Sequence, residues 1–394
     1  MDVDVKISSI MSNQGQRCGL EDIPLILSRV NFNKKFQIIT VAGTNGKGTT
    51  VAMLEELLTA NNKNVISHTS PHVYEFKERI CINKKPISNN LLLELLERLQ
   101  ELTEDYSLGY YQIAFLCCCL LSQRIPVDYL ILEVGLGGRL DAANALDPDI
   151  TAITNISLDH CEILGDTVEK IGIEKAAICR EKIPLFLGSS VPNSVIEYAK
   201  AAQAKIFDLR YESNQVDCFT DSYNIAMGIA QYLFSKMKIS YIPRFAHIRA
   251  NARYLFLKQD LKNNSYVVVD VAHNEASVRH LFKLLIEKFK DSDREIKFEA
   301  IFGILRTKDI KTILEIAKQY VYRWDVIDLQ KVDDRALDIN KIKEEFERQN
   351  IVWVDYHKDL SSVYMSKKDT VTVVFGSFVM AGEFLKEYEK NSSK

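Results

Sequence analysis

Apolar runs of β-strand length alternate along this chain with stretches of helical period. In the first half, the runs at residues 36–42, 64–67, 128–134, 150–155 and 184–187 predict strands, and residues 51–60 predict a helix directly after a glycine-rich segment. Strands that alternate with helices are typical of a parallel sheet covered by helices. The pattern therefore predicts an α/β protein.

A second series of the same kind follows near residue 265. Its predicted strands are residues 266–271, 297–302, 323–328, 351–354 and 370–375, with helical segments between them. At 394 residues the chain exceeds the size at which one hydrophobic core stops growing. We therefore predict two doubly wound domains, residues 1–245 and a smaller 246–394, with the boundary in the polar stretch 238–264.

Composition and charge restrict the partners. Lys and Arg total 50 against 53 Asp and Glu, so the net charge of -3 leaves no basic surface for nucleic acid. The longest apolar stretch, near residues 113–121, is about half of a bilayer span, and the N-terminus does not resemble a signal peptide. We expect a cytoplasmic protein that binds small molecules and no membrane.

Eight cysteines are present, three of them adjacent at Cys117, Cys118 and Cys119 within an apolar helical pattern. That placement favours buried, reduced thiols over a disulfide framework. No CxxC pair exists to begin a zinc site.

The glycine-rich segment has the form of a phosphate-binding loop. A strand precedes it, a helix follows it, and its residues are Gly43, Thr44, Asn45, Gly46, Lys47, Gly48 and Thr49. Such a junction presents backbone N–H groups and a helix N-terminus to a polyphosphate, Lys47 adds a positive charge, and the Thr49 hydroxyl can bind magnesium. The strict GxxxxGK[ST] pattern is broken, because Val41 replaces its first glycine and Gly48 precedes Thr49. The alternative is a glycine-rich turn with a solvated lysine.

Candidate metal ligands stand at the ends of later strands. Glu133 ends one apolar run, and Asp159 with His160 follow the next. Ligands of open α/β sheets bind beyond the carboxyl ends of the strands, where a carboxylate can meet a phosphate-bound magnesium ion. Glu133 could equally be a surface acid, His160 a hydrogen-bonding residue, and Lys175 a solvated lysine on a helix.

The sequence resembles folylpolyglutamate synthase and dihydrofolate synthase, members of the Mur ligase superfamily. The matching blocks are VAGTNGKGTT, HTSPHVYEFKERICIN, EVGLGGRLDAANAL, ITNISLDHCEILGDTVEKIGIEKAAI, VVDVAHNEASV, FGILRTKDI and GSFVMAG. They run in order from about residue 41 to 382, nearly the whole chain. The resemblance implies a Mur ligase-type P-loop ATPase domain followed by a smaller Rossmann-like glutamate ligase domain.

The resemblance also implies residue roles. ATP would contact Gly43, Thr44, Asn45, Gly46, Lys47, Gly48, Thr49, Arg253 and Asp270. Magnesium, in two sites, would bind Thr49, Ser70, Glu133, His160 and Lys175, with Lys175 matching the family's carbamylated lysine. The organic substrates would contact Ser70, Pro71, His72, His273 and Ser377. Catalytic roles would fall to Lys47, Lys175, His160 and His273.

Two departures from the family pattern are visible. The family has an aromatic residue followed by Glu where this chain has Tyr111 and Gln112, which predicts an altered polar contact in the cleft. The block that supplies a phosphate-contacting arginine fits Arg253 best, with Arg244 as the alternative.

The implied reaction is ATP-dependent addition of L-glutamate to dihydropteroate, to a folate that already carries glutamate, or to both. The sequence favours the bifunctional enzyme and leaves the monofunctional folylpolyglutamate synthase open. The alternative hypotheses are a P-loop small-molecule kinase and a nucleotide-binding switch without enzymatic activity. The resemblance, with the lack of a long heptad pattern, predicts a monomer.

Overall fold

The computed structural model describes residues 2–210, 218–234, 255–260, 265–290, 297–363 and 370–392. The chain divides into two compact units, Met1–Ile248 and Arg249–Lys394. The predicted boundary after residue 245 lies outside the described residues, as do Arg244 and Arg253. Each unit is a largely parallel sheet with helices, so the predicted α/β fold is confirmed.

The first unit contains a large sheet, a short two-stranded pair and nine described helices. In chain order its elements are α1 Val3–Met11, β1 Gln16–Arg17, α2 Asp22–Ser28, β2 Gln37–Ala42, α3 Lys47–Ala60, β3 Val65–His68, β4 Ile80–Ile82, β5 Lys85–Pro86, α4 Asn89–Leu102, β6 Tyr106–Ser107, α5 Tyr110–Arg124, β7 Tyr129–Glu133, β8 Ile150–Ile153, α6 Cys161–Leu164, α7 Val168–Ala176, β9 Pro184–Leu187, α8 Asn193–Ala201, β10 Lys205–Asp208 and α9 Cys218–Phe234. Short 3-10 turns occur at Phe76–Arg79 and Ala142–Ala145.

The order of strands in the large sheet places β2 in the middle of the parallel part. The order is β10-β9-β8-β2-β7-β3-β4-β5, and only β4 and β5 run antiparallel to their neighbours. The chain moves from β2 to one side and later returns to the other, so β2 lies at a topological switch point. Ligands of doubly wound sheets bind at this position, beyond the carboxyl ends of the strands.

Burial on both faces explains the continuous apolar run of β2. Ile38 and Ala42 belong to the core on the α5 side, whereas Ile39 and Val41 pack with residues of α3 and α9 on the other face. A strand covered on both faces has no solvent side, so its sequence does not alternate.

The middle of helix α5, residues 113–122, is buried on all sides. Cys117, Cys118 and Cys119 are fully buried and unbridged, as predicted, and burial raises the pKa of each thiol. Among the described residues, no helix has the length and apolarity needed to cross a bilayer.

The second unit is a six-stranded sheet of order β11-β12-β16-β13-β14-β15, with only β11 antiparallel. Its elements are β11 Leu255–Asp260, β12 Ser265–Val269, α10 Glu275–Phe289, β13 Lys297–Phe302, α11 Ile310–Ala317, β14 Val321–Ile327, α12 Ile339–Arg348, β15 Val354–His357, β16 Thr370–Phe375 and α13 Phe378–Ser392, with a 3-10 turn at Leu360–Ser362.

One strand prediction in this unit was displaced. The sequence predicts a strand at residues 351–354, but β15 begins at Val354. Asn350 and Trp353 have φ values of 53° and 62°, in the left-handed region, and Val352 and Trp353 are 67% and 77% exposed. An extended strand excludes such φ values, so these apolar residues form an exposed turn.

His68, the last residue of β3, is a fully buried and uncharged imidazole. Its Nδ1 lies 3.0 Å from the carbonyl oxygen of Arg79, which can only accept, so Nδ1 carries the proton. Its Nε2 has no hydrogen-bond partner among the described residues, and the ring packs 4.9 Å from the Tyr111 ring. Burial lowers the pKa of His68 to about 3.

This depressed pKa makes the first unit less stable in mild acid. Between the unfolded pKa of about 6.5 and the folded value, only the unfolded chain takes up the proton, so stability is complete above about pH 6.5 and falls below it. We expect His68 to contribute a loss of about 2 kcal/mol between about pH 7 and pH 5. Phe at this position does not titrate, so His68→Phe should remove that loss. The Arg79 carbonyl keeps a hydrogen bond in the variant, because it also accepts from the Thr69 N–H.

Urea unfolding of wild type and His68→Phe at both pH values measures the difference. Both tryptophans, Trp324 and Trp353, lie in the second unit, so their fluorescence is an internal control that should not change between the proteins. Far-ultraviolet circular dichroism follows both units. Equal losses of stability in the two proteins would contradict the assignment.

Candidate active site

The loop after β2 approaches the neighbouring strand too closely to carry a side chain at Gly43. Gly43 has φ of 141°, and a Cβ there would stand 1.9 Å from the Thr154 hydroxyl oxygen. Gly46 follows with φ of 85° and caps the start of α3. Both conformations suit glycine, and they lead the chain from the carboxyl end of β2 into the start of α3. Such a junction attracts a polyphosphate.

Residues after β8 hold this loop from the side. The Thr44 N–H donates to the Asn155 carbonyl at 2.8 Å, and the Asn45 N–H donates to the Asn155 side-chain oxygen at 3.0 Å. The Asn45 carbonyl accepts from the Thr154 hydroxyl at 2.6 Å and from the Asn155 amide at 2.8 Å. The sequence analysis missed Thr154 and Asn155; polar residues following an apolar strand next to the loop strand are the signal that could have found them.

Lys47 begins α3 and folds back over the loop. Its ammonium donates to the carbonyls of Gly43 and Thr44, each at 3.1 Å. Thr49, two residues further along α3, is buried. Gly48, between Lys47 and Thr49, faces Glu133, since a Cβ on it would lie 3.4 Å from Glu133 Oε2. The first turn of α3 therefore lies against the carboxylate that ends β7.

Glu133 is buried and joined to the loop after β3. Its Oε2 accepts from the Ser70 N–H at 3.0 Å, and its main-chain carbonyl accepts from the Tyr111 hydroxyl at 2.7 Å. Ser70 precedes Pro71 through a cis peptide bond. The predicted residues Lys47, Thr49, Ser70 and Glu133 thus meet at one edge of the sheet.

The 69–79 loop, which carries Pro71 and His72, is organised by its own side chains. Glu78 accepts the N–H groups of Val73, Tyr74 and Glu75 at 2.8–3.0 Å. The buried Arg79 donates from Nε to His72 Nδ1 at 2.8 Å, which leaves the His72 proton on Nε2. Sequence reasoning gave Arg79 and Glu78 no role.

Lys175 is a buried amine near the end of α7. Burial and the positive charge of Lys47 together lower its pKa to about 7, while Asp159 and Asp141 act in the opposite direction. The alternative of a solvated lysine on a helix is wrong for this residue, which is 5% exposed. A buried amine that loses its proton near neutral pH can act as a nucleophile.

His160 lies in the loop after β8, at the same sheet edge as the phosphate loop. It adopts φ of 53° and ψ of 40° and precedes the short α6. Its Nε2 is 3.8 Å from Asp159 and its Nδ1 is 3.9 Å from Glu162. The imidazole is partly exposed.

The side chains at this edge are chemically suited to magnesium. Hydroxyls of Thr49 and Ser70 and the carboxylate of Glu133 are hard oxygen donors, and magnesium usually binds one or two carboxylates together with substrate phosphates. Among the described residues, no three His, Cys, Asp or Glu side chains form a metal cluster. A site that relies on hydroxyls and on the phosphates of its nucleotide fits this composition.

In the second unit, the predicted residues follow the paired strands β12 and β16. Asp270 accepts from the Ala272 N–H at 2.7 Å, and His273 Nδ1 lies 2.6 Å from the Val271 carbonyl. Ser377 is buried, and its hydroxyl donates to the Gly303 carbonyl while it accepts from the Met380 N–H, each at 3.0 Å. The Ser377 hydroxyl thus caps α13, a structural role that the sequence analysis did not predict.

Gln112 contacts backbone groups at the start of α5. Its Oε1 accepts from the Gly109 N–H and its Nε2 donates to the Cys18 carbonyl, both at 2.9 Å. A glutamate could make only the first of these bonds. The amide therefore joins α5 to the segment that contains β1.

Several known proteins are similar to this chain along most of its length. Residues 41–230 match the family model of the Mur ligase middle domain. A dihydrofolate synthase/folylpolyglutamate synthase of Buchnera aphidicola (subsp. Schizaphis graminum) is 30% identical over 94% of this chain and 92% of its own length, and the Escherichia coli K12 protein of that name is 31% identical over 78% and 76%.

A solved structure shows the same fold. The crystal structure of a bifunctional folylpolyglutamate synthase/dihydrofolate synthase with Mn, AMPPNP and L-glutamate bound is 26% identical, with a TM-score of 0.86 over 99% of this chain and 98% of that one. With sequence similarity along nearly its whole length, the chain belongs to the dihydrofolate synthase/folylpolyglutamate synthase family of ATP-dependent ligases.

Proposed function

We propose that the protein joins L-glutamate to dihydropteroate and to the terminal γ-carboxylate of folates, releasing ADP and phosphate. The main support is the convergence of the Gly43–Thr49 segment, Glu133 and the buried Lys175 on one edge of the sheet. The relatives' names supply the acceptors, and the relative with bound Mn, AMPPNP and L-glutamate supplies the nucleotide and amino acid.

The chemistry requires an activated acceptor. A carboxylate does not condense with an amine in water, because its oxygen is a poor leaving group. The γ-phosphoryl group of ATP would pass to the acceptor carboxylate, while Lys47 and the N–H groups at the start of α3 offset the charge in the loose transition state. The amine of glutamate would then attack the acyl phosphate and expel phosphate.

Magnesium would be held in two sites by Thr49, Ser70, Glu133, His160 and the modified Lys175, and when bound would neutralise charge on the phosphate oxygens. Glu133 is held ready for this role because the Ser70 N–H and the first turn of α3 fix its carboxylate. Asn45 would help position the phosphates, since its own backbone is fixed by Asn155.

Lys175 would act as a carbamate. The neutral amine attacks carbon dioxide, forms an N–C bond and loses one proton, which leaves a carboxylate in place of a cation. Burial favours the neutral amine that this reaction needs, and the nearby charge of Lys47 would then stabilise the anion.

The second unit would serve glutamate and part of the nucleotide. Asp270 and His273 follow β12, and Ser377 follows β16. These two strands are neighbours in the sheet. Because Ser377 is buried and its hydroxyl is already hydrogen bonded, its contribution would come through the shape of the loop. Arg253, the proposed phosphate-contacting residue, and its alternative Arg244 lie outside the described residues.

A monofunctional folylpolyglutamate synthase is the second candidate, and a small-molecule kinase is more remote. The bifunctional activity is preferred because the relatives described above carry both names. On the sequence grounds given earlier, the enzyme would act as a cytoplasmic monomer.

A single assay tests the reaction and its acceptor. Incubation with ATP, magnesium, glutamate and either dihydropteroate or tetrahydrofolate should give products heavier by one or more glutamyl residues, detected by mass spectrometry. Phosphate release should require both glutamate and the acceptor. Accumulation of a stable phosphorylated acceptor would identify a kinase, and product from tetrahydrofolate alone would identify the monofunctional enzyme.

Lys175→Ala tests the carbamate. We expect activity to fall on the order of 100-fold, the upper range for loss of a group that organises a metal, without loss of the folded state. Short carboxylic acids such as formate or acetate should restore part of it, because they can occupy the space of the lost carboxylate.

The matched control is Lys170→Ala on the same helix. Lys170 forms an exposed ion pair with Asp166, and its removal should leave turnover unchanged, with or without added acids. Wild-type turnover in the Lys175→Ala protein would exclude the carbamate.

A further inference from the structure

The loop formed by residues 135–141 connects two proposed metal-organising groups. It begins two residues after Glu133 and closes on itself, because Asp141 Oδ2 accepts from the N–H groups of Gly135 and Leu136, each at 3.0 Å. Asp141 Oδ1 accepts in addition from the Ala143 N–H at 3.0 Å. The loop is therefore a fixed structure rather than an open excursion from β7.

The middle of this loop is attached to α7 directly at the position of Lys175. The Arg139 N–H donates to the Glu174 carbonyl at 2.9 Å, and Arg139 Nε donates to Glu174 Oε1, also at 2.9 Å. Gly138 packs so tightly here that a Cβ would lie 2.7 Å from the Glu174 carbonyl oxygen and 3.0 Å from Lys175 Cα. The residue before Lys175 is held through both its main chain and its side chain.

The side-chain part of this attachment, the ion pair between Arg139 and Glu174, does little for folding stability. The side chains of Arg139 and Glu174 are 55% and 25% exposed, and an ion pair of that exposure contributes little to stability. Its position matters more, because Glu174 points outward to Arg139 while its neighbour Lys175 points into the buried site. Whatever fixes the last turn of α7 also fixes the Lys175 side chain relative to Glu133.

We propose that Arg139 is a positioning residue for Lys175, holding α7 against the 135–141 loop so that the lysine carbamate and Glu133 keep the spacing that magnesium requires. The inference rests on the proposed carbamate at Lys175. Arg139 would contact neither substrate nor metal and would act through Glu174.

Arg139→Ala tests the proposal. The magnesium concentration for half-maximal activity should rise by about 10-fold, at the lower end of what loss of a partner to a metal ligand costs. The carbamate signal from ¹³C-labelled bicarbonate, observed by ¹³C NMR on the protein without nucleotide, should weaken. The melting temperature should match wild type, and Arg139→Lys, which can renew the ion pair with Glu174, should recover most of both properties.

Arg98→Ala is the matched control. Arg98 and Glu101 form an exposed ion pair on α4 in the same unit, and its removal should change neither measurement. An Arg139→Ala protein that keeps the wild-type magnesium requirement or the wild-type carbamate signal overturns the proposal, as does one whose losses follow a lowered melting temperature. Absence of a carbamate signal from wild type would instead reject the carbamate, and the role of Arg139 with it.

Discussion

The attachment of the phosphate loop to the residues that follow strand β8 is the constraint on which the rest of the site depends. Thr154 and Asn155 supply hydrogen bonds to both sides of Asn45, and Gly43 approaches Thr154 so closely that no larger residue could stand there. The start of α3 is fixed as a result. Lys47, and Gly48 where it packs against Glu133, are fixed with it. Preorganised donors act more strongly on a developing charge than donors that must reorient.

Burial of charge is the second feature of this edge. Glu133 and Lys175 are almost wholly removed from solvent, and a buried charge needs compensation. Glu133 receives it from the Ser70 N–H, whereas burial and Lys47 shift the Lys175 amine toward its neutral form. An acid that stays hydrogen bonded and an amine that loses its proton are a suitable pair where metal and phosphate charges must be bound.

Much of the fold could be predicted from sequence because strands buried on both faces give continuous apolar runs. The same reasoning failed at Val352 and Trp353, where apolar residues occupy an exposed turn. It also missed the short antiparallel strands β4 and β5, which are too brief to show a period. In the site, the glycines and Lys47 were recognisable from their spacing. The burial of Lys175 and the bond from Ser377 to Gly303 were not, because each depends on contacts between distant segments. The bond between Arg79 and His72 is local, but it lies in an irregular loop that has no sequence period to reveal it.

The loops around the site share one structural device. In the 69–79 loop Glu78 collects three consecutive N–H groups, and in the 135–141 loop Asp141 collects those of Gly135, Leu136 and Ala143. A carboxylate that binds several N–H groups replaces the regular hydrogen bonds that a loop lacks. Each loop can therefore carry its functional residues in a fixed position without a covering element. Each carboxylate lies within six residues of the N–H groups that it accepts, so each loop is closed by residues near in sequence, and the ordering entropy of a long-range contact is avoided. Substrate binding then needs to order little of the edge, which leaves more of the binding free energy for the reacting groups.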